Sequence, residues 1–222
     1  MSGGPWRASP PTSGRVAARA PKYDDFVFLN CPFDRDYEPI FNALLFAIHD
    51  AGFFPRCALE ISDSAQNRLD KIMEIIEACR FGIHDLSRTE LNEHGLPRFN
   101  MPLELGIFLG CKRFGGQRDR RKGGLILDRD PFRYQRFISD ISGQDISTHR
   151  GDPKRAVGKV RDWLRTASRR TRIPGGSAIY ERYGRFEQQL PEMCEAVPIR
   201  EEELTFVDRT QLISQWLAVN AP

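Results

Sequence analysis

Between residues 24 and 168 the hydrophobic pattern switches repeatedly between two periods, and few architectures accommodate that. Short apolar runs, of which Asp25-Phe26-Val27-Phe28-Leu29-Asn30 is the first, alternate with stretches whose apolar residues recur every three or four positions. The first kind marks a strand buried on both faces, the second an amphipathic helix. Strands are predicted at 25–30, 53–59, 81–86, 123–128 and 144–148, the second and fifth being the weaker patterns. Helices are predicted at 37–52, through Ile40, Phe41, Leu44, Leu45 and Ile48, and at 64–79, through Leu69, Ile72, Met73 and Ile76. Three more are predicted at 101–112, at 131–139 behind Pro131, and to Ser168 from Asp152-Pro153, where proline suits the first helical position. This alternation implies an α/β fold: a doubly wound parallel sheet of about five strands, covered on both faces, over residues 24–168.

The flanks differ. Residues 1–21 are rich in Gly, Pro, Ser, Arg and Ala with Trp6 the only aromatic, too little apolar surface to offset ordering entropy, and are expected to form a disordered leader. Residues 169–177 read as a basic, glycine-containing linker, and 178–222 as a helical tail with helices at 178–195 and 207–219. Phe186, Leu190 and Met193, then Leu212, Ile213, Trp216 and Leu217, are too few to form a core alone. The tail must therefore pack on the main domain or on another subunit.

Charge and cysteine usage narrow the partners. The 33 basic and 30 acidic residues leave +3, too small a surplus to require nucleic acid or an anionic membrane. The densest basic run, 112–122, holds one interleaved aromatic, Phe114, and reads as a solvated loop, with phosphate contact as the alternative. Five scattered cysteines without CxxC spacing suggest neither a disulfide framework nor zinc, so no metal is expected and the cytoplasm is the expected compartment. The longest apolar stretches, such as 101–111, fall short of the ~20 residues of a spanning helix, and no signal peptide opens the sequence, so no membrane insertion is expected.

In an open parallel sheet, ligands bind beyond the carboxyl ends of the strands, which restricts the candidates by position. Asn30, Cys31, Pro32, Phe33, Asp34 and Asp36 follow the first strand, Glu60 and Asp63 the second, and His84, Asp85 and Ser87 close the third. Arg98, Phe99 and Asn100 lead into the next helix. Neither GxGxxG nor GxxxxGK[ST] occurs, so Rossmann-type dinucleotide binding and P-loop phosphate binding are unsupported. His84 lacks a His or Cys partner at ligand spacing and reads as a core or rim histidine; Cys31 lacks a nearby His base and reads as a buried thiol.

The most informative stretch is Phe99-Asn100-Met101-Pro102-Leu103-Glu104-Leu105-Gly106-Ile107-Phe108-Leu109-Gly110-Cys111, where Glu104 is the only charge between Arg98 and Lys112. A helix apolar on nearly every face is expected to be buried, with Gly106 and Gly110 letting it press on a neighbouring backbone. A carboxylate there is costly unless paired or used. The plain alternative is that Asn100 caps the helix and Glu104 complements its positive end.

Three segments carry a resemblance. Asp25–Asn30 with Asp34 looks like the opening strand and loop of TIR domains, Cys79–Ser87 resembles their third strand, and Leu103-Glu104-Leu105-Gly106 falls where their catalytic glutamate opens a helix. The last two also resemble nucleoside 2-deoxyribosyltransferases. The likeness covers about 24–130, and Asn100-Met101-Pro102 stands where TIR domains carry a Trp-Cys pair. It implies a flavodoxin-like enzyme that cleaves an N-glycosidic bond, most often in NAD as substrate rather than cofactor, by hydrolysis or cyclisation, with bacterial anti-phage defence as a setting. Deribosylation or 2-deoxyribosyl transfer on nucleosides is one alternative; a non-catalytic nucleotide-sensing or assembly module is the other, with a homo-oligomer or an effector protein meeting the C-terminal helices. Glu104 is the expected catalytic carboxylate, stabilising positive charge on the sugar. Asp85 would hold a hydroxyl or water, unless it only caps its loop. Asn30, Phe33, Asp34, Ser87, Phe99 and Asn100 would line the substrate site, Phe33 and Phe99 stacking on the base unless they pack at the rim.

Overall fold

A computed structural model describes residues 20–60, 63–89, 95 and 98–220. Most of the expected leader, 1–19, lies outside the described residues, as does much of the loop ahead of the Glu104 helix. Five strands, β1 (Phe26–Asn30), β2 (Phe54–Arg56), β3 (Phe81–Asp85), β4 (Gly123–Asp128) and β5 (Ile146–Thr148), form one sheet in the order β2-β1-β3-β4-β5. Every pairing is parallel, from Phe26 against Phe54 at one edge to Asp128 against Thr148 at the other. The architecture is the flavodoxin-like α/β fold, and its strand order reverses between β1 and β3. No helix among the described residues is long and apolar enough to cross a membrane.

Alternate strand residues feed opposite layers, as the two-residue period requires. Val27, Leu29, Phe81, Ile83, Leu125 and Leu127 meet α1 (Glu38–Asp50) and α4 (Pro153–Ser168). On the other face Phe28 packs with Ile72, Ile75 and Ile76 of α2 (Arg68–Ala78) and with Phe108 of α3 (Asn100–Phe114). Gly82 is needed there: a β-carbon at this position would lie 2.7 Å from the Phe108 ring.

Several boundaries move for local reasons. The strand expected over 53–59 shrinks to three residues around Pro55, which lacks an N–H and is tolerated because β2 is an edge. The 64–79 helix starts at Arg68, because Asn67 caps it by accepting from the Leu69 N–H at 2.8 Å. The helix expected over 131–139 is instead two 3-10 turns, Arg133–Arg136 and Ser139–Ile141, preceded by Phe132 in left-handed backbone at φ 60°. The Glu104 helix is buried on one face only, through Met101, Glu104, Leu105 and Phe108, and Gly106 and Gly110 face open space. The basic run is not wholly solvated either. Lys122 is buried, and its Nζ donates to the carbonyls of Ile76 at 2.7 Å and Cys79 at 2.5 Å, closing the C-terminal end of α2.

The segment read as a linker is strapped down by Arg161, whose guanidinium donates to the carbonyls of Ile173 (2.9 Å) and Pro174 (2.6 Å). Behind it, α5 (Gly176–Ala196) and α6 (Phe206–Val219) pack on α1 and α4 and share their hydrophobic core. Phe46 of α1 meets the rings of Phe186 and Trp216 at 5.5 and 5.7 Å. The buried Arg182 ties three helices, donating to Asp50 at 3.0 Å and to the Asn220 carbonyl at 2.8 Å.

This packing makes Trp216→Ala a test of how deeply the tail is built in. The substitution should lower unfolding free energy by about 3–5 kcal/mol, the usual cost of emptying a buried tryptophan site. Denaturation followed by circular dichroism should show one transition; a loss below about 1 kcal/mol, with the tail unfolding separately, would contradict it.

Candidate active site

The carboxyl ends of β1 and β3, at the reversal of strand order, carry a run of polar residues: Asn30, His84 and Asp85. All three are buried, so each needs a partner. Asn30 Nδ2 donates to the Met101 carbonyl at 2.9 Å and lies 3.1 Å from His84 Nδ1, which joins the first turn of α3 to the sheet. Burial pushes His84 down to about 3, so the ring is neutral, accepting at Nδ1 between the rings of Phe28 and Phe108. It is a core histidine.

A cleft of about 440 Å³ opens beside this tie, lined by Asn30, Cys31, Pro32, Phe33, Asp34, Arg68, Arg98, Asn100, Met101 and Glu104. Of the predicted site residues, the structure gathers Glu104, Asn30, Phe33, Asp34 and Asn100 around it. Glu104 is 8% exposed, and its carboxyl accepts no hydrogen bond and forms no ion pair among the described residues. Burial raises its pKa to about 7, with the Arg68 charge opposing the shift. The capping alternative fails on two counts: Phe99 holds the N-cap position with no side-chain bond, and Glu104 lies beyond the first helical turn. Asp34 pairs with Arg98 at 2.9 Å and Arg88 at 3.2 Å, so it holds the rim together. The Cys31 thiol is pushed up by burial and by the carboxylates around it, which makes it a poor nucleophile. A second hollow of about 330 Å³, walled by Glu38, Phe41, Leu204 and Phe206 among others, adjoins the cleft across Phe33 and Asp34.

Asp85, Ser87 and Phe99 are placed elsewhere. Asp85 does not line the cleft: its carboxylate accepts from the Tyr37 hydroxyl at 2.5 Å and the Ser87 N–H at 2.9 Å, and His149 Nε2 lies 3.0 Å away. Burial pushes the carboxyl up, and the His149, Tyr37 and Ser87 contacts outweigh it, leaving it below its ordinary value. The expected role beside Glu104 is thus replaced by an internal junction joining α1, β3 and the β5–α4 turn. Ser87 serves that junction through its backbone, and Phe99, 64% exposed, is not among the residues lining the cleft although its neighbours Arg98 and Asn100 are. Nearby, Asp128 at the end of β4 is held by Arg133 and raised by burial.

The sequence reading missed Arg68, Tyr37 and His149. His149 follows β5 directly, so extending the strand-end rule to the fifth strand would have found it. Arg68 carries no motif; only the fold brings the start of α2 to the cleft. Among the described residues no three His, Cys, Asp or Glu side chains gather as a metal site. Comparison with family models, with curated proteins and with solved structures finds no match to this chain.

A buried, unpartnered carboxyl costs stability once it ionises. The folded pKa of about 7 lies above the ordinary glutamate value of 4.5, so wild type loses stability relative to Glu104→Gln as pH rises between the two. The variant should match wild type near pH 4 and be more stable by about 1–3 kcal/mol at pH 8, measured by chemical denaturation. A variant less stable than wild type at pH 8 would show that the carboxylate is structurally bound.

Proposed function

We propose that this chain is a nucleotide-processing enzyme that cleaves an N-glycosidic bond, with NAD the first candidate substrate and hydrolysis or cyclisation the outcome. The observation that carries the reading is the Glu104 carboxyl, nine-tenths buried, unpartnered among the described residues and facing an open cleft. As the base departs, positive charge builds at the anomeric carbon, and a carboxylate held in a poorly solvated wall stabilises that charge. A structural carboxylate would instead be paired, as Asp85 is.

The rest of the cleft suits a nucleotide. Arg68 and the N-terminal end of α3 offer positive charge for phosphates, while Phe33, 40% exposed, offers an aromatic face for a base. Cleavage or transfer on nucleosides would use the same carboxyl with a different acceptor. The non-catalytic reading is the less favoured, because it gives Glu104 no partner and no task.

The test is incubation of purified protein with NAD and a panel of nucleotides and nucleosides, followed by identification of released base and sugar products. Glu104→Gln should lower turnover by about 10²–10³-fold or more, a typical loss for one electrostatic group. Because the ionised form does the work, kcat/KM should rise with pH through about 7 and level off above it. Wild-type-like turnover in the variant would overturn the assignment.

A further inference from the structure

We infer that Asn30 is a specificity-determining residue, and that the sugar this cleft takes is ribose, with both ring hydroxyls present, rather than 2-deoxyribose. The inference rests on the reading of Glu104 as the group beside the sugar.

Asn30 is 2% exposed yet lines the cleft. Its amide orientation is fixed by chemistry: a carbonyl can only accept, so the atom 2.9 Å from the Met101 oxygen is the amide nitrogen. Its other hydrogen faces His84 Nδ1 at 3.1 Å, so both donors are spent inside the protein. The side-chain oxygen accepts nothing from a described residue. The same oxygen is not sealed inside the protein, and Asn30 lines the cleft.

Glu104 provides a second free acceptor. It sits three residues after Met101 on the inward face of α3, and Met101 is the residue that Asn30 anchors. Two acceptors on one wall, one locked by its own hydrogen bonds and the other on the anchored helix, call for two donors on one edge of the ligand. The adjacent hydroxyls of ribose supply them. A 2-deoxyribose supplies one and leaves a buried acceptor without a donor, which sites built for a hydroxyl discriminate against. Arg68 lies on the same cleft and acts on Glu104 through its charge without forming an ion pair with it, so the carboxyl keeps its acceptors free for the ligand.

The experiment is titration calorimetry on the full chain with four pairs of 5′-monophosphates, ribo and 2′-deoxy, carrying adenine, guanine, cytosine and uracil. For whichever base binds, the ribo form should bind at least about tenfold more tightly. Asn30→Leu, which keeps the size and removes the acceptor along with the donors to Met101 and His84, should bring the ratio below about threefold; Asn30→Ala, which also lacks an acceptor, serves the same purpose if the leucine variant does not fold. Equal or tighter binding of the deoxy forms, no binding of any ribonucleotide, or a full ratio retained in the Asn30 variant would each overturn the inference. Turnover separates it from the glycosidase reading. A protein that discriminates the sugars but cleaves nothing loses only that reading, and one that cleaves both sugars alike loses only this inference.

Discussion

Strands β1 and β3 end in buried polar residues, and the positions of the surrounding elements follow from how those residues are paired. Leaving a buried donor or acceptor unpaired costs about 1–3 kcal/mol, a large share of a domain's net stability. Asn30 meets its requirement through Met101 and so fixes where α3 crosses the sheet. Asp85 meets its own through Tyr37, Ser87 and His149, which brings the start of α1 and the turn after β5 over the same end. Beside these paired residues the Glu104 carboxyl differs, because α3, which Asn30 anchors through Met101, carries it to the cleft wall without a partner among the described residues.

The fold was legible because hydrophobic period is a local property. Phe26-Val27-Phe28-Leu29 is short, apolar and rich in aromatic and branched residues, as a strand covered on both faces is, and Asp152-Pro153 marks its helix start with both a cap and a favoured first residue. Boundaries moved where a single residue altered the backbone, as Pro55 and Phe132 do. The site was legible in part. Position at strand ends pointed to Asn30 and Asp85 alike, but only three-dimensional packing separates the residue facing the cleft from the one consumed by Tyr37 and His149. Lys122 shows the same limit: in sequence it is one charge among many, and the carbonyls it closes lie 43 or more residues away.

The tail changes what kind of helix α1 has to be. It lies between the sheet and α5 and α6, and its run from Ala43 to Ile48 is buried without interruption. A helix with one wet face would alternate charged and apolar residues along this stretch; α1 has no such face over these residues, and Phe46 fills the contact with Phe186 and Trp216. Its opening turn carries Tyr37 to Asp85, so the same helix links the tail's core to the polar junction beneath the cleft.

The sheet's outer strands, β2 and β5, are its shortest, with three residues each, and β2 carries a proline at its centre. An exposed strand is a template for another chain, and long, flat edges invite stacking of sheets between molecules. Here either edge offers only about 10 Å of backbone to a passing strand, and Pro55 contributes no N–H to one of them. The brevity of these bordering strands thereby protects the longer inner strands from edge-to-edge aggregation.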